Sequence, residues 1–285
     1  MSSLYDIDED TLTKLLKSIL VAPPYESVGI GDDCAVTDEG LLLKTDCMVE
    51  GRHYVKETPS EKVGQKAIAR VLSDFAAMGG EPSELLVTIG LRQSTKVQYV
   101  KDLYMGMDRI ASEFGCVIVG GETTSVDEGN SNFISISGTG KLLGTRPCLR
   151  SGASVGDLIY VTGALGGSFP SDHHLDFVPR LAESKWLVEN CFPSAMMDLS
   201  DGLAKDLPRL SRASQVGYQL DYQSIPIRPS YNVEHALKDG EDYELLFTVA
   251  PSQADLLKGG PFTQIGEITK GVITPLDGGW DHFNS

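Results

Sequence analysis

One carboxylate on an apolar helix face limits this chain more than any other feature. From Glu61 to Met78, the residues Val63, Gly64, Ala67, Ile68, Val71, Leu72, Phe75 and Met78 recur at helical spacing and form one broad apolar arc, with Lys62, Lys66, Arg70 and Ser73 set opposite. Asp74 falls inside that arc. The helix starts at Ser60-Glu61 and stops at Gly79-Gly80, so Asp74 sits near its C-terminal end, where the helix dipole disfavours negative charge. A carboxylate held there needs either a buried Lys or Arg or a metal ion. The pattern offers no such side chain, which favours the metal.

A second acidic stretch lies just upstream. Gly29-Ile30-Gly31-Asp32-Asp33-Cys34-Ala35-Val36 leads through a turn to Leu41-Leu42-Leu43-Lys44-Thr45-Asp46. Two β-like runs, Cys34 to Val36 and Leu41 to Lys44, are bordered by Asp32, Asp33 and Asp46. Carboxylates gathered at strand ends repel and raise one another's pKa, so water or a cation must stand between them. Oxygen ligands without His or Cys suit a hard ion such as Mg²⁺; the same Gly-Asp pair also reads as a polar turn. Asp198-Leu199-Ser200-Asp201-Gly202 sits where a strand hands over to a helix, a place that receives phosphate, with Ser200 or Asp201 as a plain N-cap the competing reading. Gly120-Gly121-Glu122-Thr123-Thr124 reads as a strand end at which two side-chain-free residues admit a nucleotide.

Strand and helix signals alternate in both halves of the 285 residues, which predicts two domains of α/β or α+β class with mixed sheets. A short amphipathic helix at 8–20 should pack on the body and end before Pro23-Pro24. Strands are expected at 85–91, 116–119 and 132–143, and a helix at 96–114. The Gly144–Asp157 segment reads as the linker, dividing the chain into 1–145 and 146–285. Beyond it come strands at 158–162, 195–199, 218–222 and 243–249. Helices are expected at 179–189 and from Gly202 to about Ser214, the latter kinked or restarted at Pro208.

With 40 acidic against 24 basic side chains, the net charge of −16 argues against nucleic acid and anionic membranes as partners. No run approaches the ~18–20 apolar residues of a membrane span, and the acidic opening is unlike a signal peptide, so a cytoplasmic location is expected. The five cysteines have no Cys-x-x-Cys spacing and read as buried thiols; the five histidines have no metal spacing. Phosphate-loop, dinucleotide and protein-kinase motifs are absent.

Several motifs, in order, resemble the thiamine-monophosphate kinase family: Gly29 to Ala35, Lys44-Thr45-Asp46 with Gly51-Arg52-His53, Leu72 to Gly79, Gly120 to Thr124, Leu149 to Ala153, Met197 to Gly202, Gly240 to Leu245, and the Trp280 to Phe283 ending. That family belongs to the ATP-binding superfamily of aminoimidazole ribonucleotide synthetase. The resemblance implies that superfamily's two-domain fold, an α/β N-terminal domain followed by an α+β C-terminal domain, a homodimer formed by pairing N-terminal sheets, and ATP-dependent phosphorylation of thiamine monophosphate. It implies that Asp33, Thr45, Asp46, Asp74, Asp198 and Asp201 hold several Mg²⁺ ions. Gly121, Glu122, Arg150 and Ser200 would meet ATP, with Glu122 also near a metal, and His53, Glu241 and Trp280 would contact thiamine phosphate. By the same resemblance Asp33, Asp46, Asp74, Asp198 and Arg150 would carry the catalytic roles. Three features depart from the family pattern. Lys44 stands where Ser is common and would tether a phosphate or face solvent, Glu122 replaces Asp, and the 163–177 stretch is short. Two rival readings are another reaction of the same superfamily, with ATP activating a carbonyl oxygen, and a nucleotide-binding dimer without turnover.

Overall fold

The structure, a computed structural model, describes residues 4–21, 28–271 and 275–281. The proline pair expected to end the first helix and the residues after Asp281 lie outside the described residues. The N-terminal half builds a five-stranded sheet from β1 (Ala35–Val36), β2 (Leu41–Val49), β3 (Gly80–Arg92), β4 (Val117–Val126) and β5 (Phe133–Leu142). Their order is β1-β2-β5-β3-β4, with β3 and β4 parallel and the other pairs antiparallel.

Side chains alternate across each strand. In β2 this puts Leu42, Lys44, Asp46 and Met48 on one side and Leu43, Thr45 and Cys47 on the other. The first side is covered by α2 (Ser60–Ala77), and α3 (Val97–Glu113) packs against α2 and reaches the sheet at β4. The other side stays open, and Leu43, Leu86, Val117 and Val119 are exposed. Fourteen of the 18 residues of α2 are buried, which makes it the central element of the molecule and not a surface helix. Its close approach to α3 depends on glycine: a Cβ on Gly64 would lie 2.0 Å from the Leu103 carbonyl oxygen, and one on Gly106 would lie 1.9 Å from that of Glu61.

The second half forms an antiparallel sheet from β6 (Leu158–Thr162), β7 (Ala195–Asp198), β8 (Gly217–Leu220), β9 (Leu245–Val249) and β10 (Phe262–Thr269), ordered β7-β9-β6-β10-β8. Around it lie α4 (His173–Asp176), α5 (Leu181–Asn190), α6 (Leu203–Ser214) and α7 (Val233–Lys238). Ala76 and Ala77 at the end of α2 share an apolar cluster with Leu187, Met196, Leu245 and Phe247, so the two sheets are joined through that helix.

Several expectations are corrected. The glycines at 120 and 121 do not end a strand; β4 runs on to Val126, and a Cβ on Gly121 would fall 1.8 Å from the Val87 carbonyl oxygen of β3. Gly121 thus permits the close pairing with β3. α6 continues through Pro208 without restarting. The strand expected from Tyr243 begins at Leu245, because Glu241 and Tyr243 both adopt positive φ. β10 and α7 were not anticipated. Cys47 is exposed while the other four thiols are buried. The N-terminal helix α1 (Glu9–Ile19) buries no residue; it meets the body through ion pairs of Glu9 and Asp10 with Lys205, Arg209 and Arg212.

Candidate active site

Three elements bring one carboxylate each to a single point. Asp33 comes from the turn before β1, Asp74 from the last turn of α2, and Asp198 from the end of β7. One oxygen of each lies within 4.8 Å of the other two, and all three residues are buried. They are part of the lining of a cleft of about 970 Å³ between the two sheets.

The charges are partly answered from within the chain. The Lys44 ammonium lies 2.7 Å from Asp74 Oδ1, and the Arg150 guanidinium bonds to Asp33. The cation that the helix pattern does not offer therefore comes from β2: the half-buried Lys44 side chain engages Asp74. Ser73 Oγ donates to Asp198 Oδ2 at 2.6 Å, while the Arg150 backbone N–H donates to Asp32 at 2.7 Å. Asp33 Oδ2 is buried with no hydrogen-bond partner.

Burial raises the Asp74 carboxyl well above the carboxylate range despite Lys44, and the neighbouring Asp198 adds to the rise. Asp198 is pushed up to about 6 by burial and by Asp33, against the Ser73 hydrogen bond. Such a cluster is short of positive charge.

The other anticipated residues divide into two groups. Asp46 lines the cleft but is held by Arg70 at 3.1 Å, and Asp201 is bonded by Arg209 at 2.6 Å. Ser200, His53, Glu241 and Trp280 also line the cleft. Thr45, Gly121 and Glu122 do not reach it. Thr45 points to the open side of the first sheet and accepts a bond from Ser137 at 3.1 Å. Gly121 and Glu122 lie on the outermost strand β4, and Glu122 is exposed, its carboxylate accepting the Thr123 N–H at 3.0 Å. Through the register Thr88↔Glu122, Thr88↔Ser135 and Cys47↔Ser135, Glu122 shares the open face with Cys47, two residues from Thr45.

At the other end of the cleft is a cluster that the sequence reading missed. Lys66 has no exposed surface, and its ammonium donates to the His53 carbonyl at 2.5 Å and to Glu241 at 2.7 Å, with His174 Nδ1 at 2.6 Å. Burial opposes the charge on Glu241, but the His174 hydrogen bond and the Lys66 and Arg70 charges outweigh it and bring the carboxyl down to about 2. Burial brings Lys66 down to about 8 against the pull of Glu241. The short 163–177 stretch buttresses this corner: Gly166 N–H donates to Asp242, Ser168 Oγ to the Glu241 carbonyl, and Phe169 stacks on His174 with centroids 4.3 Å apart. The signal was available on the helix. Lys66, Arg70 and Ser73 fall within about 100° of Asp74 at 3.6 residues per turn. They extend the Asp74 stripe instead of opposing it.

Comparison with known proteins gives a consistent picture. The model of the AIR synthase related protein N-terminal domain matches residues 31–142, and that of the C-terminal domain matches 192–275. A thiamine-monophosphate kinase of Rhodopirellula baltica is 35% identical over 271 residues, covering 86% of this chain and 84% of that protein. One from Aquifex aeolicus is 30% identical over 321 residues, covering 98% and 99%. Among solved structures, AaThiL complexed with AMPPCP and TMP superposes with a TM-score of 0.88 at 28% identity, covering 99% of each chain.

Proposed function

The chain belongs to the thiamine-monophosphate kinase family, and from that premise we propose that it transfers the γ-phosphoryl group of ATP to the phosphate of thiamine monophosphate, giving thiamine diphosphate. The observation that supports this most is the meeting of Asp33, Asp74 and Asp198 in the cleft. The residues fit Mg²⁺. All donors are carboxylate oxygens, and Asp33 keeps a buried oxygen without a partner. Oxygens on opposite sides of one Mg²⁺ stand about 4.2 Å apart, so a spread of up to 4.8 Å closes with a small inward shift. On this reading Asp33, Asp74 and Asp198 hold the metal, and Asp46 and Asp201 join them by releasing Arg70 and Arg209. When bound, the ions neutralise phosphate oxygens and offset the charge of two anions brought together.

The chain's own groups do the rest by positioning. An acceptor phosphate with a second pKa of about 6 is already a dianion at neutral pH, so no general base is required of the protein. Glu241, ionised and fixed by Lys66 and His174, offers a counter-charge to the cationic thiazolium, and Trp280 offers an aromatic face. His53 is pinned by the Val49 N–H on its Nδ1 at 3.0 Å and shapes the same end. Arg150 and Ser200 meet ATP.

Thr45, Gly121 and Glu122 enter this reading through a homodimer. They lie on the open face of the first sheet, beside the exposed Leu43, Leu86, Val117 and Val119. A second copy stacked there would bring Glu122 of the partner subunit toward Thr45. The division into 1–145 and 146–285 then gives Asp33, Asp46, Asp74 and Glu122 to the first segment and Arg150, Asp198, Asp201 and Glu241 to the second. A charge of −16 and the lack of any membrane-length apolar helix among the described residues suit a cytoplasmic enzyme that does not bind nucleic acid. One assay tests the proposal: Mg·ATP and thiamine monophosphate incubated with the purified chain should yield thiamine diphosphate and ADP in equal amounts. Nucleotide binding without product, or ADP formed only with another acceptor, would overturn it.

A further inference from the structure

Two cations face the acidic centre, and they are held very differently. Arg150 is fixed twice, by its guanidinium on Asp33 and by its backbone N–H on Asp32. Lys44 touches the centre only through its ammonium, 2.7 Å from Asp74. Its backbone is fixed within β2, paired with Gly138 of β5, so the ammonium can leave Asp74 by side-chain rotation alone. Its side chain is also partly exposed, at 22%, whereas that of Asp74 is nearly covered, at 9%.

Charge decides what such a lysine does. Three carboxylates against Lys44 and Arg150 leave one negative charge; exchanging the ammonium for a divalent ion leaves none. Keeping the ammonium beside that ion would set two cations against the same carboxylate. We propose that Lys44 is the resident counter-ion of the centre in the metal-free protein, and that a divalent cation reaches Asp74 by displacing it. The inference rests on the reading of Asp33, Asp74 and Asp198 as a divalent-cation site, and it makes Lys44 a positioning residue that sets how much metal the enzyme needs.

The test is a titration of Mn²⁺ into the metal-stripped full-length chain, with free Mn²⁺ read by electron paramagnetic resonance and metal-free melting recorded alongside. With its competitor for Asp74 removed, Lys44→Met should bind Mn²⁺ roughly 10–100-fold more tightly, about 1.4–2.8 kcal/mol. Its metal-free melting temperature should fall below that of the wild type, and saturating Mn²⁺ should close the gap. Lys44→Ser, smaller and polar, should behave the same way if the methionine is poorly accommodated. Unchanged or weaker Mn²⁺ binding by both variants, with binding intact in the wild type, overturns the role of Lys44 and leaves the metal site standing. Absence of Mn²⁺ binding in the wild type and both variants overturns the site and the inference together.

Discussion

Lys66 and Glu241 form a buried ion pair that neither residue can leave without cost. The Lys66 ammonium is fully enclosed and has three oxygen or nitrogen neighbours within 2.7 Å. Lys66→Met removes the charge and leaves Glu241 without its nearest cation, which should cost roughly 3–5 kcal/mol. The loss is read from urea midpoints, and a change under 1 kcal/mol would show the pair to be dispensable. The pair also sets an acid limit. Glu241 has a folded pKa of about 2 against an ordinary 4.5. Its folded pKa is depressed, so its contribution is fully present above pH 4.5 and fades as pH falls toward 2. The contribution is on the order of 3 kcal/mol. Between pH 6 and pH 3 the wild type should lose urea resistance more steeply than Glu241→Gln, and parallel curves would contradict the assignment. The acidic centre makes a different demand. Asp33→Asn and Asp74→Asn should each lower turnover by about 10²-fold or more through lost charge at the metal, while the fold survives, as circular dichroism would record. Normal kinetics in either variant would remove that residue from the centre.

The element on which the site depends is α2, which carries Lys66, Arg70, Ser73 and Asp74 and touches both sheets. Its position is set where it crosses α3 at Gly64 and Gly106. A methyl group on Gly106 would overlap the Glu61 carbonyl oxygen, at 1.9 Å, so Gly106→Ala must push the helices apart. Overpacking of this kind costs about 1–3 kcal/mol, and melting should fall by several degrees at about 2–4 °C per kcal/mol. An unchanged melting temperature would show that the helices part freely. The helix itself was legible in the sequence because its apolar arc repeats every 3.6 residues, and so was Asp74 as a costly intruder. The partner of Asp74 was not, since Lys44 arrives from a strand thirty residues earlier. Lys66 reads as falling opposite the apolar arc, and the pattern of one helix does not reveal that α4 and the 240–244 loop close over it. The end of β4 was misplaced at Gly120-Gly121 for a related reason: glycine permits close approach, and sequence does not say to what. In this chain it is the backbone of β3. β10 was missed because its register shifts between Gln264 and Gly266, which breaks the alternation of buried and open residues along it.

At the scale of the whole molecule, the first sheet is covered on one side only. The N-terminal core lies between that sheet and α2, and the junction with the second sheet is sealed by Ala76, Ala77 and their neighbours. The other face leaves Leu86 48% exposed and Val119 58% exposed, beside Thr45 and Glu122. Sheets with one wet face ordinarily carry polar side chains there, and a contiguous apolar patch on such a face is what a contact surface needs. With a second copy on that face, the chain of 30.8 kDa should sediment at twice that mass. Leu86→Glu puts a charge into the middle of the patch and should return the protein to the mass of one chain, while Leu256→Glu, on an exposed turn elsewhere, should not. Turnover then separates two roles for the dimer. If Thr45 and the partner subunit's Glu122 complete the nucleotide site, the Leu86→Glu monomer loses activity although no residue of its own cleft has changed. A fully active monomer would confine the chemistry to the cleft of a single chain.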